Sequence, residues 1–300
     1  MASSGGFLTG AMNNNWVIIT GADRGIGESL TELLADMDYG VVMACRDVDS
    51  AGEIFEHVRY ITSNHDVRLM PLDLSSLDSV AAFARSIREK GYNIRALVNN
   101  AAVYRKTYAV SQDGFEQTLA VNYLGPYLLT RLLLPVLRDS QGGARVVNTV
   151  SSMVKFGRID SSFFDLSPEK YRPMRAYAAS KLALLLFTHS LNQALQADDR
   201  VAVDAFNPGW VNTRLLALGN WLDPLFNILV RPLLKTSDQA AQQAFHALFP
   251  EKQSAGGVLF TARRQVPIRD MAAVQRSPQQ WLFRHTEELL VRAGYELPEL

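Results

Sequence analysis

Short runs of consecutive apolar and β-branched residues alternate along the chain with longer segments whose apolar residues recur every three or four positions. The runs fall at Trp16–Thr20, Gly40–Cys45, Val67–Leu72, Ala96–Asn99, Ala144–Val150, Val201–Asn207 and Gly257–Phe260. Segments such as Gly25–Met37, Leu77–Lys90, Gly114–Leu137 and Arg175–Gln196 carry the helical spacing. Strands that are apolar throughout are covered on both faces, so the pattern predicts a parallel sheet with helices on each side. Right-handed crossovers wind such a chain into a doubly wound α/β fold whose ligands lie outside the carboxyl ends of the strands. No internal repeat or linker-like break divides the 300 residues. Residues 16–300 are expected to form one domain behind a flexible leader, residues 1–15.

Composition narrows the partners. Lys plus Arg and Asp plus Glu number 30 each, so the net charge is zero and no overall positive field exists to hold a nucleic acid. Hydrophobic residues make up 48% and charged residues 20%, which excludes a disordered chain. The lone cysteine, Cys45, excludes an intrachain disulfide and a cysteine-based zinc site and suits a reducing compartment, so a cytoplasmic location is expected. His57, His65, His189, His246 and His285 are scattered without ligand spacing, and no metal is expected. The leader has neither the basic nor the apolar region of a signal peptide. The most apolar later stretch, Leu215–Leu234, is interrupted by Asp223, Pro224, Arg231 and Pro232. It does not suit a transmembrane span; it reads as an apolar flap over a pocket, with contact to a membrane surface as the other reading.

The first run leads straight into Gly21-Ala-Asp23-Arg24-Gly25-Ile26-Gly27 and then a helix. Gly21 permits a tight turn, Gly25 lets backbone approach a pyrophosphate, and Gly27 allows close packing of the helix. The helix N-terminus adds N–H groups and positive dipole for phosphates. This glycine trio between a first strand and a first helix points to a dinucleotide site in a Rossmann-type sheet. The second run ends Met43-Ala44-Cys45-Arg46-Asp47. A carboxylate there would bind the ribose 2′-OH of NAD, whereas a cation would bind the 2′-phosphate of NADP. Arg46, joined by Arg24, suits the phosphate, so NADP (NADPH) is expected over NAD. A shift of one residue in register would instead make Asp47 a ribose ligand.

Tyr177-Ala-Ala-Ser-Lys181 sets a phenol and an ammonium four residues apart, on one helix face. A tyrosine near pKa 10 is a poor acid or base at neutral pH, and a neighbouring cation lowers that value. Ser151-Ser152 closes the fifth run, at the sheet edge where a hydroxyl can polarise a carbonyl.

Taken together, TGADRGIG at 20–27, Ala120-Val-Asn122-Tyr-Leu124, the serine pair, Tyr177/Lys181 and Asn207-Pro208-Gly209-Trp210-Val211-Asn212-Thr213 resemble the short-chain dehydrogenase/reductase family. The Ala44–Asp47 run resembles its retinol-dehydrogenase-like, NADP-preferring branch. The resemblance spans roughly residues 16–181 and extends through 207–213. It implies that Ser152, the second of the pair, fixes a carbonyl oxygen and Tyr177 transfers the proton. Lys181 would lower the phenol pKa and bind the nicotinamide ribose, and Asn122 would hold a proton-relay water. Beyond Gly21, Asp23, Arg24, Gly25, Ile26, Gly27 and Arg46, the implied cofactor contacts are Asp73, Leu74, Asn100, Ala101, Pro208, Gly209, Val211 and Thr213. The family motif after the fourth strand finishes in glycine where this chain has Ala102. Residues 213–236 correspond to a mobile substrate lid, and Met153–Arg175, with Phe156, Phe163, Phe164 and Tyr171, to the opposite wall. The two long helices resemble those that pair in family homodimers. The activity implied is NADP(H)-dependent interconversion of a carbonyl and an alcohol on a lipophilic substrate that is retinoid-, steroid- or lipid-like. The alternatives are a C=C reductase of the same fold and a non-catalytic NADP-binding sensor.

Overall fold

A computed structural model describes residues 15–195, 200–209, 236–250, 255–262 and 264–300. Its centre is an eight-stranded sheet in the order β3-β2-β1-β4-β5-β6-β7-β8. The strands are β1 (Asn15–Thr20), β2 (Gly40–Cys45), β3 (Val67–Pro71), β4 (Asn93–Asn99), β5 (Ala144–Thr149), β6 (Val201–Phe206), β7 (Val258–Phe260) and β8 (Gln265–Pro267). All neighbours pair in parallel except β7 with β8. The seven runs expected from sequence are the seven parallel strands. The added strand is three residues long and ends on Pro267, which suits an unpaired edge and leaves no alternation to read.

Alternate side chains of each strand enter different cores. Ile18, Val42, Leu97 and Val146 pack on one face, with α3 (Leu77–Lys90), α5 (Gly125–Arg138) and α6 (Pro173–Ala194). Val17, Ile19, Val41, Met43, Val98 and Val147 pack on the other, with α1 (Gly25–Asp36), α2 (Val48–Thr62) and α7 (Ser237–Leu248). Burial on both faces is why the runs lack alternation. Gly40 is forced by packing, since a Cβ there would come within 2.4 Å of the Trp16 ring.

The segment expected as one helix over Gly114–Leu137 is composite. It runs from α4 (Gln117–Leu119) through a π-helical turn, Ala120–Leu124, into α5. Glu116 starts it by accepting from the N–H groups of Thr118 (2.8 Å) and Leu119 (2.9 Å). Among the described residues this stretch, Gln117–Arg138, is long and apolar enough to cross a membrane, yet 83% of its apolar window is buried inside the fold. The short α8 (Ala272–Gln275) leads to α9 (Gln279–Arg292), which lies over α5 and α6. Thr286 meets the Tyr123 hydroxyl at 2.7 Å, Glu287 pairs with Arg131, and Arg131 also donates to the Pro298 carbonyl at 2.6 Å. The chain's own C-terminal segment therefore covers part of the helix pair that the family resemblance assigns to a subunit interface.

The order of the strands reverses between β1 and β4, because β1 turns one way to β2 and β3 while β4 begins the other half. Ligands of doubly wound sheets bind in the crevice beyond the strand ends at that point.

Candidate active site

The first pole of the crevice is made of backbone. Gly21 and Gly25 have φ of +63° and +57°, a left-handed conformation that glycine adopts without a steric penalty. Gly27 sits so close to the preceding turn that a Cβ would lie 2.2 Å from the Gly21 carbonyl oxygen and 2.8 Å from Asn100 Nδ2. The turn is fastened to the end of β4. Asn100 donates through Nδ2 to the carbonyls of Thr20 (3.1 Å) and Gly21 (3.3 Å). Thr20 Oγ1 accepts from the N–H groups of Asn100 and Ala101, both at 3.0 Å. A Cβ on Gly21 would stand 3.0 Å from that of Ala101, so the turn packs directly against the chain beyond β4. Thr20 is the fastener that spacing alone does not single out, because its partners lie 80 residues away.

Flanking charges are distributed unevenly. Arg24, 67% exposed, is held by Asp23, with N–O separations of 2.7 and 2.9 Å. Arg46 is exposed just beyond β2. Asp47 caps α2, accepting from the Ser50 N–H at 3.0 Å and the Ser50 hydroxyl at 2.6 Å. Those bonds hold its carboxyl below the usual carboxylate range. Cys45 is buried inside β2, which pushes its thiol up to about 12 and makes it inert. Beyond β3, Asp73 folds back to accept from the N–H (2.8 Å) and hydroxyl (2.7 Å) of Ser75, and Leu74 is buried. The Leu74 carbonyl lies 2.5 Å from where a Cβ on Gly125 would be, so α5 starts in close contact with this loop. Ile26 is half-buried in the first turn of α1.

The second pole is made of side chains. Pro173 opens α6, where a missing N–H is harmless and the fixed φ is already helical. One turn later Tyr177 is half-buried, and the next turn brings Lys181, fully buried, with Nζ donating to the Thr149 carbonyl of β5 at 2.8 Å. Burial dominates both. It pushes the Tyr177 phenol up to about 12 and the Lys181 ammonium down to about 7. Among the groups around the phenol, it is the Ser151 hydroxyl that opposes the rise.

The serine pair splits its contacts. The Ser151 hydroxyl opposes the rise in the Tyr177 phenol pKa, and Ser151 Oγ accepts from the Met153 N–H at 3.3 Å, capping the turn Ser152–Phe156. Ser152 Oγ instead accepts from Asn207 Nδ2 at 3.1 Å. Asn207 follows β6, and its Oδ1 accepts from the Gly209 N–H at 3.0 Å, where Gly209 has φ of +76°. Pro208 between them is buried. Val211, Thr213 and residues 213–235 of the expected lid lie outside the described residues, and its last residue, Thr236, caps α7. Sequence reasoning placed both in their motifs but gave the carbonyl role to Ser152 alone and no role to Asn207, since neither spacing nor residue type separates Ser151 and Asn207 from ordinary cap and turn residues.

Asn122 sits in the π-helical turn, fully buried. Its Oδ1 accepts from the Val103 N–H at 2.8 Å, and its Nδ2 donates to the Val103 carbonyl at 2.9 Å and to Ser180 Oγ at 3.1 Å. Such single-turn distortions concentrate at functional sites, and this one seats an amide between the β4 loop and α6.

These features agree with comparisons to known proteins. A model of the short chain dehydrogenase family matches residues 15–220. The chain is 37% identical to retinol dehydrogenase 13 of Mus musculus over 259 residues, covering 83% of this chain and 76% of that protein. It is 38% identical to polyprenol dehydrogenase of Mus musculus over 247 residues, covering 80% and 73%. A crystal structure of a Mycobacterium Paratuberculosis protein superposes with a TM-score of 0.73 at 29% identity, covering 94% of each chain.

Proposed function

The chain belongs to the short-chain dehydrogenase family, whose members are oxidoreductases, and on that premise we propose that it interconverts a carbonyl and an alcohol on a lipophilic substrate with NADP(H). The carrying observation is the meeting of Tyr177, Lys181 and the Ser151–Ser152 pair at the carboxyl edge of β5, beside a glycine turn with no room for a Cβ at Gly27. That turn fits a dinucleotide, since it leaves backbone N–H groups and a helix N-terminus open to a pyrophosphate. When bound, the dinucleotide supplies or takes up the hydride, while the protein supplies position and proton transfer.

Each side chain then has a definable task. Because Ser152 Oγ accepts from Asn207, its own O–H is free to donate to a carbonyl oxygen. Tyr177 donates its phenolic proton to the oxygen as it becomes an alcohol, and takes the proton back in the oxidative direction. Lys181, held at the Thr149 carbonyl on the same helix face as Tyr177, is the group that would bind the nicotinamide ribose. A relay water at Asn122 would rest on the backbone carbonyl, because both ends of the side-chain amide are in use.

Preference for NADP is supported by Asp47. Its carboxylate is committed to Ser50, which leaves the Arg46 guanidinium as the group that meets a 2′-phosphate. Arg24 is engaged by Asp23 and contributes second. The lipophilic substrate class is supported by the names of the relatives, whose alcohols, retinol and polyprenol, are both isoprenoid.

The test is a panel of isoprenoid, steroid and short-chain alcohols and aldehydes with NADPH and NADH side by side, with the products identified. Isoprenoid turnover with NADPH well above NADH is the expected result. Saturation of a C=C bond would assign the other reductase class, and cofactor binding without any turnover would assign a sensor.

A further inference from the structure

Tyr104 lies five residues beyond the end of β4, in a loop to which the proposed chemistry assigns no part. Its ring centroid is 5.7 Å from that of Tyr177, with the planes at 72°, an edge-to-face arrangement. Such pairs have a preferred geometry and contribute beyond the area they cover. The backbone on each side of Tyr104 is held by a separate element. Val103 is gripped at both its N–H and its carbonyl by Asn122. The Arg105 carbonyl accepts from the Tyr171 hydroxyl at 2.7 Å, and the Tyr171 ring packs edge-on against Tyr108 at 5.7 Å. Tyr171 belongs to the expected substrate wall, two residues before α6 begins. The Tyr104 ring is thus fixed from the π-helical turn on one side and from the substrate wall on the other.

We propose that Tyr104 is a positioning residue for the catalytic tyrosine, holding the Tyr177 ring in place and shielding its phenol from water. The Tyr171–Arg105 hydrogen bond transmits the setting of the substrate wall to that contact. The inference rests on the assignment of Tyr177 as the proton-transfer group. Its geometry stands apart from that assignment, so it can be read out without turnover.

The groups acting on the phenol are consistent with this role. Burial raises its pKa, the Ser151 hydroxyl opposes that rise, and Lys181 on the same helix is buried against Thr149. Removing the Tyr104 ring opens one side of the phenol to solvent, which stabilises the phenolate and lowers the pKa toward 10.

The experiment uses the full chain and Tyr104→Ala, Tyr104→Phe and Tyr171→Phe variants. The absorbance of tyrosinate is followed up to about pH 11, each protein being compared with its own Tyr177→Phe partner so that only the Tyr177 signal remains. The expected result is no Tyr177 ionisation in the parent or in Tyr104→Phe, and clear ionisation in Tyr104→Ala. In the panel assay, Tyr104→Ala lowers kcat about tenfold with KM for NADPH unchanged, and Tyr104→Phe restores it. Tyr171→Phe moves both readouts the same way by a smaller factor, and it serves as the deciding variant if Tyr104→Ala does not fold. An unchanged titration and kcat in Tyr104→Ala, or in Tyr171→Phe where that variant decides, overturns the inference. A parent without carbonyl turnover refutes the proposed function, and the titration still decides the role of Tyr104.

Discussion

The two poles of the crevice are built from different materials. At the end of β1 the surface offered to a ligand is backbone, shaped by Gly21, Gly25 and Gly27 and fastened by Thr20 and Asn100. At the end of β5 it is side chains, with Tyr177, Lys181, Ser151 and Ser152 set on a helix and a turn. The first pole works by having nothing in the way: its ionisable neighbours Asp23 and Arg24 pair with each other, and Asp47 is held by Ser50. The second works by holding ionisable groups where water is scarce, and both of its principal groups are displaced toward neutrality. A backbone site fails when something is added. A side-chain site fails when something is removed.

That contrast can be broken or sharpened by substitution. The largest effect is expected for Tyr177→Phe, which removes only a hydroxyl and should lower turnover by on the order of 1,000-fold. Next is Gly27→Ala, where a methyl group would meet the Gly21 carbonyl at 2.2 Å and cannot be accommodated by a side-chain rotation. NADPH affinity should fall by roughly 100-fold, which is about 2.7 kcal/mol and within the cost of overpacking a rigid contact. Fluorescence titration of the cofactor measures it.

Lys181→Met should show the opposite balance, losing turnover while gaining stability. The folded-state value of about 7 lies below the ordinary 10.5, so the unfolded chain binds the proton more tightly. The native state therefore becomes more stable as pH rises from about 7 toward 10.5, and carries its full penalty below 7. Denaturant unfolding at about pH 6 should find Lys181→Met more stable than the parent by roughly 2 kcal/mol. The gain should shrink as pH is raised. A smaller and more selective effect is expected for Arg46→Ala, about tenfold on NADPH affinity with NADH nearly unchanged. Equal losses for the two cofactors would move the 2′-phosphate away from Arg46.

The same contrast explains what could be read from the chain. Glycines at 21, 25 and 27 are legible because a left-handed backbone and a missing Cβ admit almost no other residue. Tyr177 and Lys181 are legible because one helical turn fixes their relation. Uniformly apolar strands gave away the doubly wound sheet for a similar reason, since burial on both faces leaves no other pattern. What escaped reading depends on contacts between distant segments. Asn207 reaches Ser152 across 55 positions, Tyr104 meets Tyr177 across a loop, and Tyr123 meets Thr286 across 163. None of these leaves a local period. The π-helical turn around Asn122 is invisible for another reason: its five residues, Ala-Val-Asn-Tyr-Leu, fit an ordinary helix equally well.

The most direct test of the division between the poles is NADPH affinity measured in parallel for the parent, Gly27→Ala and Tyr177→Phe. The account predicts that Gly27→Ala loses about 100-fold while Tyr177→Phe, inactive in turnover, stays within about threefold of the parent. A comparable loss of affinity in Tyr177→Phe, or parent-like affinity in Gly27→Ala, would contradict it.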